Sequence, residues 1–271
     1  MPEIAEVRTV ANTLKKQILN KKILDIKILY KGIITNDIEY FKKVLINNKI
    51  KDIKTKGKWL LFYLDDYILL SHLRMEGKYF IKDKDAEIVK HEHIIFEFED
   101  FTLRYHDTRK FGKMTIIKQD EINNVEVLKK LGPEPFDKEL TNEYLYNKIK
   151  NKKTPIKTLL LDQTIINGLG NIYANEVLYD AKINPTKLGI NISIKECENI
   201  INSSKKIIKK AIEEGGTTIK SYTSSLGVEG NYQNYLKVHK KERLPCSVCQ
   251  NKIEKIKING RSTYYCPICQ K

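Results

Sequence analysis

Apolar residues near the start of the chain recur at helical spacing. Most successive members are three or four positions apart, and all of them fall on one face of an α-helix. Pro2 stands in the first turn, where proline is tolerated because its missing N–H group would have no partner there. The pattern predicts a helix that begins directly after Pro2. Its apolar face consists of Ile4, Val7, Val10, Ala11, Leu14 and Ile18.

The chain then changes to short runs rich in branched and aromatic residues, several of which alternate between apolar and polar positions. Turn-forming pairs such as Asp65-Asp66 and Glu99-Asp100 separate the runs. This spacing is typical of an antiparallel β-sandwich rather than a parallel sheet. The predicted strands run from Ile23 to Leu29, Ile50 to Lys54, Trp59 to Leu64, Ile68 to His72, Tyr79 to Ile81, His93 to Phe98, Thr102 to His106 and Met114 to Ile117.

A proline-rich segment ends the strand pattern at Leu131-Gly132-Pro133-Glu134-Pro135-Phe136, because neither a helix nor a central strand continues through two prolines. Beyond it the pattern is helical. Thr154 followed by Pro155 predicts a capped helix with proline at its first position, and the capping box of Ser193 and Glu196 predicts a helix to about Ile212. We predict a two-domain α+β protein with an N-terminal antiparallel β-sandwich and flanking helices (1–131), a linker (132–137), a helical domain (138–236) and a C-terminal module (237–271).

The C-terminal module contains two Cys-x-x-Cys pairs separated by sixteen residues. Four thiolates at this spacing form a closed tetrahedral zinc site, with the intervening stretch folded as a hairpin. A redox-active pair is the alternative, but it needs a strand-helix-strand unit that this tail is too short to contain. The sequence predicts one structural Zn²⁺ bound by Cys246, Cys249, Cys266 and Cys269. The fifth cysteine, Cys197, is expected to be an ordinary thiol.

Composition favours a polyanionic partner. The chain of 271 residues carries 49 Lys and Arg against 34 Asp and Glu, a formal net charge of +15. Such a charge attracts nucleic acid with a strongly salt-dependent affinity, although lysine-rich composition can also characterise a whole organism. No apolar run approaches the ~18 residues of a membrane helix, and no signal peptide precedes Pro2. Together with zinc-binding thiols, this predicts a cytoplasmic protein without a membrane partner.

The first residues allow two interpretations. If Met1 is removed, Pro2 becomes a secondary amine close to Glu3 and Glu6, and such an amine attacks an electrophilic carbon and collapses to an iminium. If Met1 stays, Pro2 only starts a helix whose dipole the two acids complement. The turn Gly168-Leu169-Gly170-Asn171 also allows two interpretations. Its glycines and the amides of the following helix suit a phosphate, but glycine turns also join helices without any ligand.

Ten motifs, in order and over nearly the whole chain, resemble those of one known family. They resemble bacterial formamidopyrimidine-DNA glycosylases, which remove 8-oxoguanine and ring-opened purines from DNA. The motifs are Pro2-Glu3 with Glu6, Lys56-Gly57-Lys58, His72-Leu73-Arg74-Met75-Glu76-Gly77, Asp107-Thr108-Arg109-Lys110-Phe111-Gly112, Leu131-Gly132-Pro133-Glu134-Pro135, Pro155-Ile156-Lys157, Leu161-Asp162-Gln163, Gly168 to Glu176, Gly215-Gly216-Thr217-Thr218-Ile219 and Gly260-Arg261-Ser262-Thr263. The resemblance implies a helix-two-turn-helix module and a zinc-finger β-hairpin after the sandwich.

The resemblance also implies a reaction and its catalytic residues. It implies a base-excision-repair glycosylase with AP lyase (β,δ-elimination) activity, in which Pro2 displaces the damaged base at C1′ and forms a Schiff base. Glu3 would handle protons at the sugar, and Glu6 would support the site through hydrogen bonds. Lys58 would contact the phosphate beside the lesion and assist the chemistry, and Arg261 would help to pinch the lesion's phosphate.

The same resemblance places further residues on the DNA. A base must be swung out of the duplex before its glycosidic bond is accessible, and the space it leaves must be filled. Met75, Arg109 and Phe111 match the family's space-filling set, with Arg109 suited to the orphaned base and the other two acting as apolar wedges. Other implied DNA contacts are His72, His91, Lys157 and Asn171. The implied lesion pocket comprises Glu76, Ser221, Tyr222 and Thr223.

Several positions depart from the family pattern. Proline is usual at Ala5, an acid at Arg8, a small residue or proline at Thr108, and an aromatic-glycine pair within Val238-His239-Lys240. Since none of these positions matches a catalytic residue or a cysteine, the departures concern substrate preference rather than the chemistry.

Two other functions are compatible with parts of the pattern. Endonuclease VIII shares the Pro-Glu start, the helical module and the zinc hairpin but prefers oxidised pyrimidines. It usually has glycine at the position of Ile4 and lacks the set of Met75, Arg109 and Phe111. A non-enzymatic DNA-binding zinc protein would leave Pro2 and Glu3 without a role. The main expectation is therefore a monomeric bacterial enzyme of the cytoplasm and nucleoid, acting on duplex DNA that contains oxidised purines.

Overall fold

The computed structural model describes residues 1–217 and 230–271. Their packing forms two compact units: residues 1–129 with 214–217 and 230–233, and residues 130–213 with 234–271. The sequence analysis assigned residues 214–233 to the helical domain, whereas the structure groups their described part with the N-terminal unit. One reason is that the backbone N–H and the hydroxyl of Thr217 both donate to Oε1 of Glu6, at 2.9 and 3.1 Å.

The described part of the N-terminal unit contains two four-stranded antiparallel sheets. Its strands are β1 (Asp25–Ile28), β2 (Asp52–Lys56), β3 (Trp59–Tyr63), β4 (Tyr67–His72), β5 (Lys78–Asp83), β6 (Glu92–Glu97), β7 (Phe101–His106) and β8 (Lys113–Lys118). One sheet has the order β1-β6-β7-β5 and the other β2-β3-β4-β8. Apolar side chains from both sheets share one core, which confirms the predicted sandwich. Each of the eight predicted runs overlaps one observed strand, and the ends differ by up to two residues.

Helices flank this sandwich. The first, α1 (Ile4–Ile18), begins directly after its N-cap residue Glu3 and buries the predicted apolar face. The second, α2 (Ile38–Leu45), was not indicated by the sequence analysis; it is capped by Asp37, whose carboxylate accepts the N–H of Tyr40 at 3.0 Å. A short helix, α3 (Glu126–Lys129), ends the unit's first segment.

The second unit combines helices with a β-hairpin. Its elements are α4 (Asn142–Ile149), α5 (Ile156–Leu161), α6 (Asn171–Asp180), α7 (Ile194–Glu213), β9 (Glu254–Ile258) and β10 (Arg261–Tyr265). The predicted capping box opens α7, since Ser193 and Glu196 exchange side-chain to backbone hydrogen bonds. The start of α5 differs from prediction by one position. Pro155 itself is the N-cap, because its carbonyl accepts the N–H groups of Thr158 and Leu159. In both units, no helix among the described residues is long and apolar enough to cross a membrane.

A buried arginine organises the loop between β5 and β6. The side chain of Arg104, on β7, is 2% exposed and pairs with Glu92, which is 1% exposed, at 2.9 Å. The guanidinium also donates to the carbonyls of Glu87 and Ala86 at 2.8 and 2.6 Å. Lys82 completes the cluster with an ion pair to the other Glu92 oxygen at 2.7 Å. The loop that ends at His91 is therefore tied to the sheet through one guanidinium.

We expect Arg104→Met to lower the free energy of unfolding by about 3–5 kcal/mol, because it removes one partner of a buried ion pair and leaves loop carbonyls without a donor. Urea denaturation of the variant and the wild type measures this difference. Lys118→Met, which removes an exposed positive charge from the end of β8, is the matched control and should change the value little. Equal stability of the Arg104 variant and the wild type would contradict this account of the loop.

Candidate active site and DNA interface

The start of α1 is held by a capping box made from two buried acids. Glu3 and Glu6 are each 3% exposed, and Oε2 of Glu6 accepts the backbone N–H of Glu3 at 2.9 Å. The other Glu6 oxygen accepts both Thr217 donors. Since both oxygens of Glu6 are engaged in holding backbone, this residue is suited to positioning Glu3 rather than to moving protons.

The N-terminal amine lies within electrostatic range of four ionisable side chains. It belongs to Met1, and Pro2 is the buried residue that follows. Burial lowers the pKa of this amine from its ordinary value; Lys58 acts in the same direction, and Glu3, Glu6 and Glu76 oppose the shift. A lowered pKa increases the neutral, nucleophilic fraction at physiological pH. The structure thus places two predicted catalytic side chains, Glu3 and Lys58, around the end of the chain.

Lys58 is presented by a tight turn between β2 and β3. Lys56 pairs with Trp59 across a two-residue connection, in which Gly57 adopts a positive φ of 56°. Glycine takes this conformation without steric cost, and a two-residue hairpin turn often requires it at the first position. Lys58 itself is 6% exposed. Its position is therefore set by the hairpin.

His72 ends β4 as a neutral imidazole. Burial, together with the charges of Arg74 and Lys58, lowers its pKa to about 3. Its Nδ1 accepts the backbone N–H of Arg74 at 3.0 Å, and its ring meets the edge of Trp59 at a centroid distance of 4.7 Å. Because Nδ1 is an acceptor, the proton of the neutral ring is on Nε2. His72 is therefore arranged as a hydrogen-bond donor, which suits contact with a phosphate oxygen.

A buried aspartate shapes the loop that carries Arg109 and Phe111. Asp107 is fully buried, and its carboxylate accepts the N–H groups of Arg109, Phe111 and Gly112 at 3.0, 2.9 and 2.8 Å. The Phe111 side chain is 50% exposed, and the Arg109 guanidinium stacks over its ring at 4.6 Å. An exposed aromatic ring and a cation on a loop fixed from beneath are well suited to insertion into a duplex.

Neighbouring predicted residues join this surface. Met75 is 39% exposed in the turn after β4, where Arg74 has a positive φ of 53°. The adjacent Glu76 accepts a hydrogen bond from the hydroxyl of Thr108, one of the departures from the family pattern. His91 also has a positive φ, and its ring lies 5.7 Å from that of His106. Its backbone carbonyl accepts the N–H of Asp107 at 3.0 Å.

In the second unit, the tip of the hairpin carries Arg261. The turn residues Asn259 and Gly260 both have positive φ, 46° and 75°, as a two-residue Asn-Gly hairpin requires. Arg261 follows as the exposed first residue of β10. The amide of Asn171 donates to the carbonyl of Ser262 at 3.1 Å. Asn171 and Arg261 are the two residues predicted to contact the phosphate. This hydrogen bond links them, because Ser262 directly follows Arg261.

Lys157, predicted from the resemblance to contact DNA, is buried in the structure. It is 1% exposed, and its ammonium donates to the Ser262 carbonyl at 2.9 Å and to the Thr263 hydroxyl at 2.7 Å. Its charge is therefore taken out of solvent to hold the strand that follows Arg261. A direct DNA contact is not supported by this position, because tertiary packing has covered a residue type that is usually exposed.

Two neighbouring residues of α6 bind the segment at 237–239, which leads into the cysteine-containing part of the chain. Asn175 bonds the Nδ1 of His239 at 2.8 Å, and the carboxylate of Glu176 accepts the N–H groups of residues 237–239 at 2.7–3.0 Å. Burial raises the pKa of Glu176, and those three N–H groups oppose the shift. His239 also meets the edge of the Tyr264 ring at 5.1 Å. The unusual Val238-His239-Lys240 sequence therefore has a structural partner in Asn175.

The four cysteines have the arrangement that a tetrahedral metal requires. Their sulfur atoms all lie within 4.8 Å of one another, with 3.4 Å between Cys249 and Cys266 and 3.9 Å between Cys246 and Cys269. A tetrahedron with Zn–S bonds of ~2.3 Å has edges of ~3.8 Å. None of the four is in a disulfide. The donor set fits zinc, and four sulfur ligands leave no position for a reactive water.

Three family models match successive segments of the chain. A family model for the formamidopyrimidine-DNA glycosylase N-terminal domain matches residues 1–114, one for the formamidopyrimidine-DNA glycosylase H2TH domain matches 131–223, and one for the zinc finger found in FPG and IleRS matches 243–271. The chain belongs to the formamidopyrimidine-DNA glycosylase family. This membership confirms the predicted base-excision DNA glycosylase with AP lyase activity, and the zinc-finger match with the clustered cysteines confirms the single structural zinc site.

Individual glycosylases match over their full length. Formamidopyrimidine-DNA glycosylases from Bacillus cereus and Streptococcus pneumoniae are each 42% identical to this chain, covering 100% of it and 99% of the relative. The Lactococcus lactis enzyme bound to DNA with an oxidised pyrimidine superposes with a TM-score of 0.94 at 39% identity, covering 100% of both chains. Its complex with abasic-site DNA gives 0.94 at 40% identity over 99% of each chain.

The structure does not describe three residues of the predicted lesion pocket, and the sequence analysis missed two carboxylates that hold functional loops. The predicted pocket residues Ser221, Tyr222 and Thr223 lie in residues 218–229, outside the described ranges. The holding roles of Asp107 and Glu176 were missed, since a carboxylate in a motif does not indicate which amides it accepts. A sequence signal did exist for other contacts of α6: Asn171, Asn175 and Tyr179 follow one another at intervals of four, which puts three polar groups on one face of the helix.

We expect Cys249→Ser to release zinc and to weaken binding to lesion-containing DNA by at least tenfold. The physical reason is that loss of the metal unfolds the hairpin that presents Arg261, whose charge-assisted contact is worth about 1.5–3 kcal/mol. Zinc content and DNA affinity are measured on the same preparation. Cys197→Ser alters a buried cysteine outside the cluster and should retain both zinc and affinity. A Cys249 variant that lacks zinc but binds with wild-type affinity would refute this role.

Proposed function

We propose that this glycosylase excises 8-oxoguanine and formamidopyrimidines from duplex DNA with the amine of processed Pro2 as nucleophile. The observation that carries this proposal is that Pro2 is buried together with Glu3, Glu6 and Lys58, and that these three side chains and Glu76 lie within electrostatic range of the N-terminal amine. In the peptide Met1-Pro2 the proline nitrogen is an amide and has no nucleophilic lone pair. Removal of Met1 converts it to a secondary amine one residue from Glu3.

The reaction then uses residues with distinct tasks. The neutral Pro2 nitrogen attacks C1′, the bond from C1′ to the base breaks, and the base leaves with a proton. Glu3 handles the proton at the sugar ring oxygen as the ring opens to an iminium at C1′. Loss of a C2′ proton then breaks the C3′–O bond, and a second elimination breaks the C5′–O bond. Glu6 holds Glu3 in place, and Lys58 contacts the neighbouring phosphate.

The exposed residues of the first unit are proposed to hold the damaged nucleotide outside the duplex. Met75 and Phe111 would wedge into the stack, and Arg109 would bond the orphaned base. The carboxylate of Asp107 supports this role, because it fixes the Arg109 and Phe111 backbone while leaving both side chains exposed. Asn171 and Arg261 would contact a DNA phosphate.

An oxidised-pyrimidine glycosylase is the second candidate. The observation that favours it is the solved Lactococcus lactis complex with DNA that contains an oxidised pyrimidine. The exposed set of Met75, Arg109 and Phe111 favours oxidised purines as the main substrates. We further propose that the enzyme acts as a monomer in the bacterial cytoplasm, on the DNA of the nucleoid.

Borohydride should trap a covalent adduct through Pro2 on a duplex with 8-oxoguanine opposite cytosine. A variant with leucine inserted between Met1 and Pro2 retains its first residue, because the bulky second residue blocks removal of Met1. We expect its adduct yield to fall to background, since an internal proline nitrogen cannot form an iminium. Adducts are quantified by gel shift, and mass spectrometry of the N-terminal peptide identifies the attachment site.

A parallel duplex with an oxidised pyrimidine decides between the two substrate classes. Faster trapping on 8-oxoguanine supports the proposal, and faster trapping on the pyrimidine would favour the second candidate. Full trapping by the blocked N-terminus would exclude Pro2 as the nucleophile.

Arg109→Ala should remove discrimination among bases opposite 8-oxoguanine, a loss of about 1–3 kcal/mol for a bidentate contact. Binding curves with cytosine, thymine, guanine and adenine opposite the lesion, at two salt concentrations, measure it. The control, Lys110→Ala, removes a neighbouring charge and should weaken all four pairs equally, with the salt slope reduced by about one ion. If Arg109→Ala behaves like that control, Arg109 is only a phosphate contact.

A further inference from the structure

A tyrosine of α6 contacts the zinc cluster. The hydroxyl of Tyr179 lies 3.1 Å from Sγ of Cys246 and 3.3 Å from Oγ of Ser247. Tyr179 is 9% exposed and Cys246 is fully buried. The Tyr179 ring packs in an apolar cluster with Val238, Ile253 and Tyr264. The hydroxyl is therefore placed against the sulfur by a packed ring on a regular helix.

The chemistry of a metal-bound cysteine fixes the direction of these hydrogen bonds. A zinc ligand is a thiolate, which has no proton and can only accept. The Tyr179 hydroxyl must then donate to Cys246, and its oxygen is free to accept the hydroxyl proton of Ser247. A second donor, the backbone N–H of Val248, lies 3.5 Å from the same sulfur. The result is a chain of donors from Ser247 through Tyr179 to the thiolate.

We propose that Tyr179 is a positioning residue of the zinc centre, whose hydroxyl orients the Cys246 thiolate and slows the loss of the metal. Partners of this kind around a metal ligand alter metal affinity by about 10- to 100-fold when removed. The proposal rests on the assignment of the cysteines as a zinc site. One face of α6 then has two roles. Asn171, at the start of the helix, binds the β10 backbone at Ser262, and Tyr179, near the end of the helix, binds the zinc ligand Cys246.

Zinc release from the full-length protein tests the proposal. The zinc-loaded wild type and Tyr179→Phe are mixed with excess chelator, and release is followed with a metal-sensitive dye. We expect release from Tyr179→Phe to be about tenfold faster. The matched control is Tyr265→Phe, which removes another tyrosine hydroxyl of the hairpin, one that bonds Glu254 at 2.9 Å instead of a cysteine. Its release rate should equal that of the wild type.

A spectrum distinguishes a hydrogen bond to sulfur from general packing. In the cobalt-substituted protein, losing a donor to a thiolate raises the energy of its lone pair, so the sulfur-to-cobalt charge-transfer band should shift to longer wavelength in Tyr179→Phe only. If that variant fails to fold, Ser247→Ala, at an exposed site, carries the test and must release zinc faster than the wild type. Wild-type release and an unshifted band in Tyr179→Phe, or equally fast release from Tyr265→Phe, would overturn the proposal. Neither measurement involves DNA, so the result is independent of the proposed reaction.

Discussion

Buried carboxylates that accept backbone N–H groups are the interaction on which both units of this protein depend. Glu6 holds the start of α1 and Thr217, Asp107 holds the loop of Arg109 and Phe111, and Glu176 holds the segment at 237–239. In each case the carboxylate accepts N–H groups of a segment that lies outside the regular hydrogen bonding of a helix or a sheet. These three acids therefore fix the geometry of segments that a helix or a sheet alone would leave undetermined.

The energetics explain why such acids are effective. Burying a charge without partners is very costly, but several N–H donors directed at one carboxylate offset much of that cost. The same donors, if left without an acceptor in the interior, would each cost about 1–3 kcal/mol. The loop and the acid thus stabilise each other. This mutual dependence keeps Arg109 and Phe111 exposed on a loop that is rigid beneath.

Much of the architecture could be predicted from the sequence, because helices, strands and the cysteine pairs depend on residues that are close together in the chain. Short runs rich in branched and aromatic residues, some of them alternating, located the eight described strands of the sandwich, and the cysteine spacing located the zinc site. The pattern failed where partners are far apart in the chain. Glu176 meets Val238, 62 positions away, and Lys157 meets Thr263, 106 positions away. Lysine is usually exposed, so nothing in its own neighbourhood indicated that Lys157 would be buried.

The grip on backbone N–H groups has a consequence for how this site can change over evolutionary time. Asp107 holds positions 109 and 111 through atoms that nineteen of the twenty amino acids possess. The conformation of the loop therefore does not depend on the side chains at these two positions. The residue that the grip itself forbids there is proline, which has no N–H to give. Substitutions at these two positions can therefore change the exposed side chains while the backbone conformation of the loop is kept.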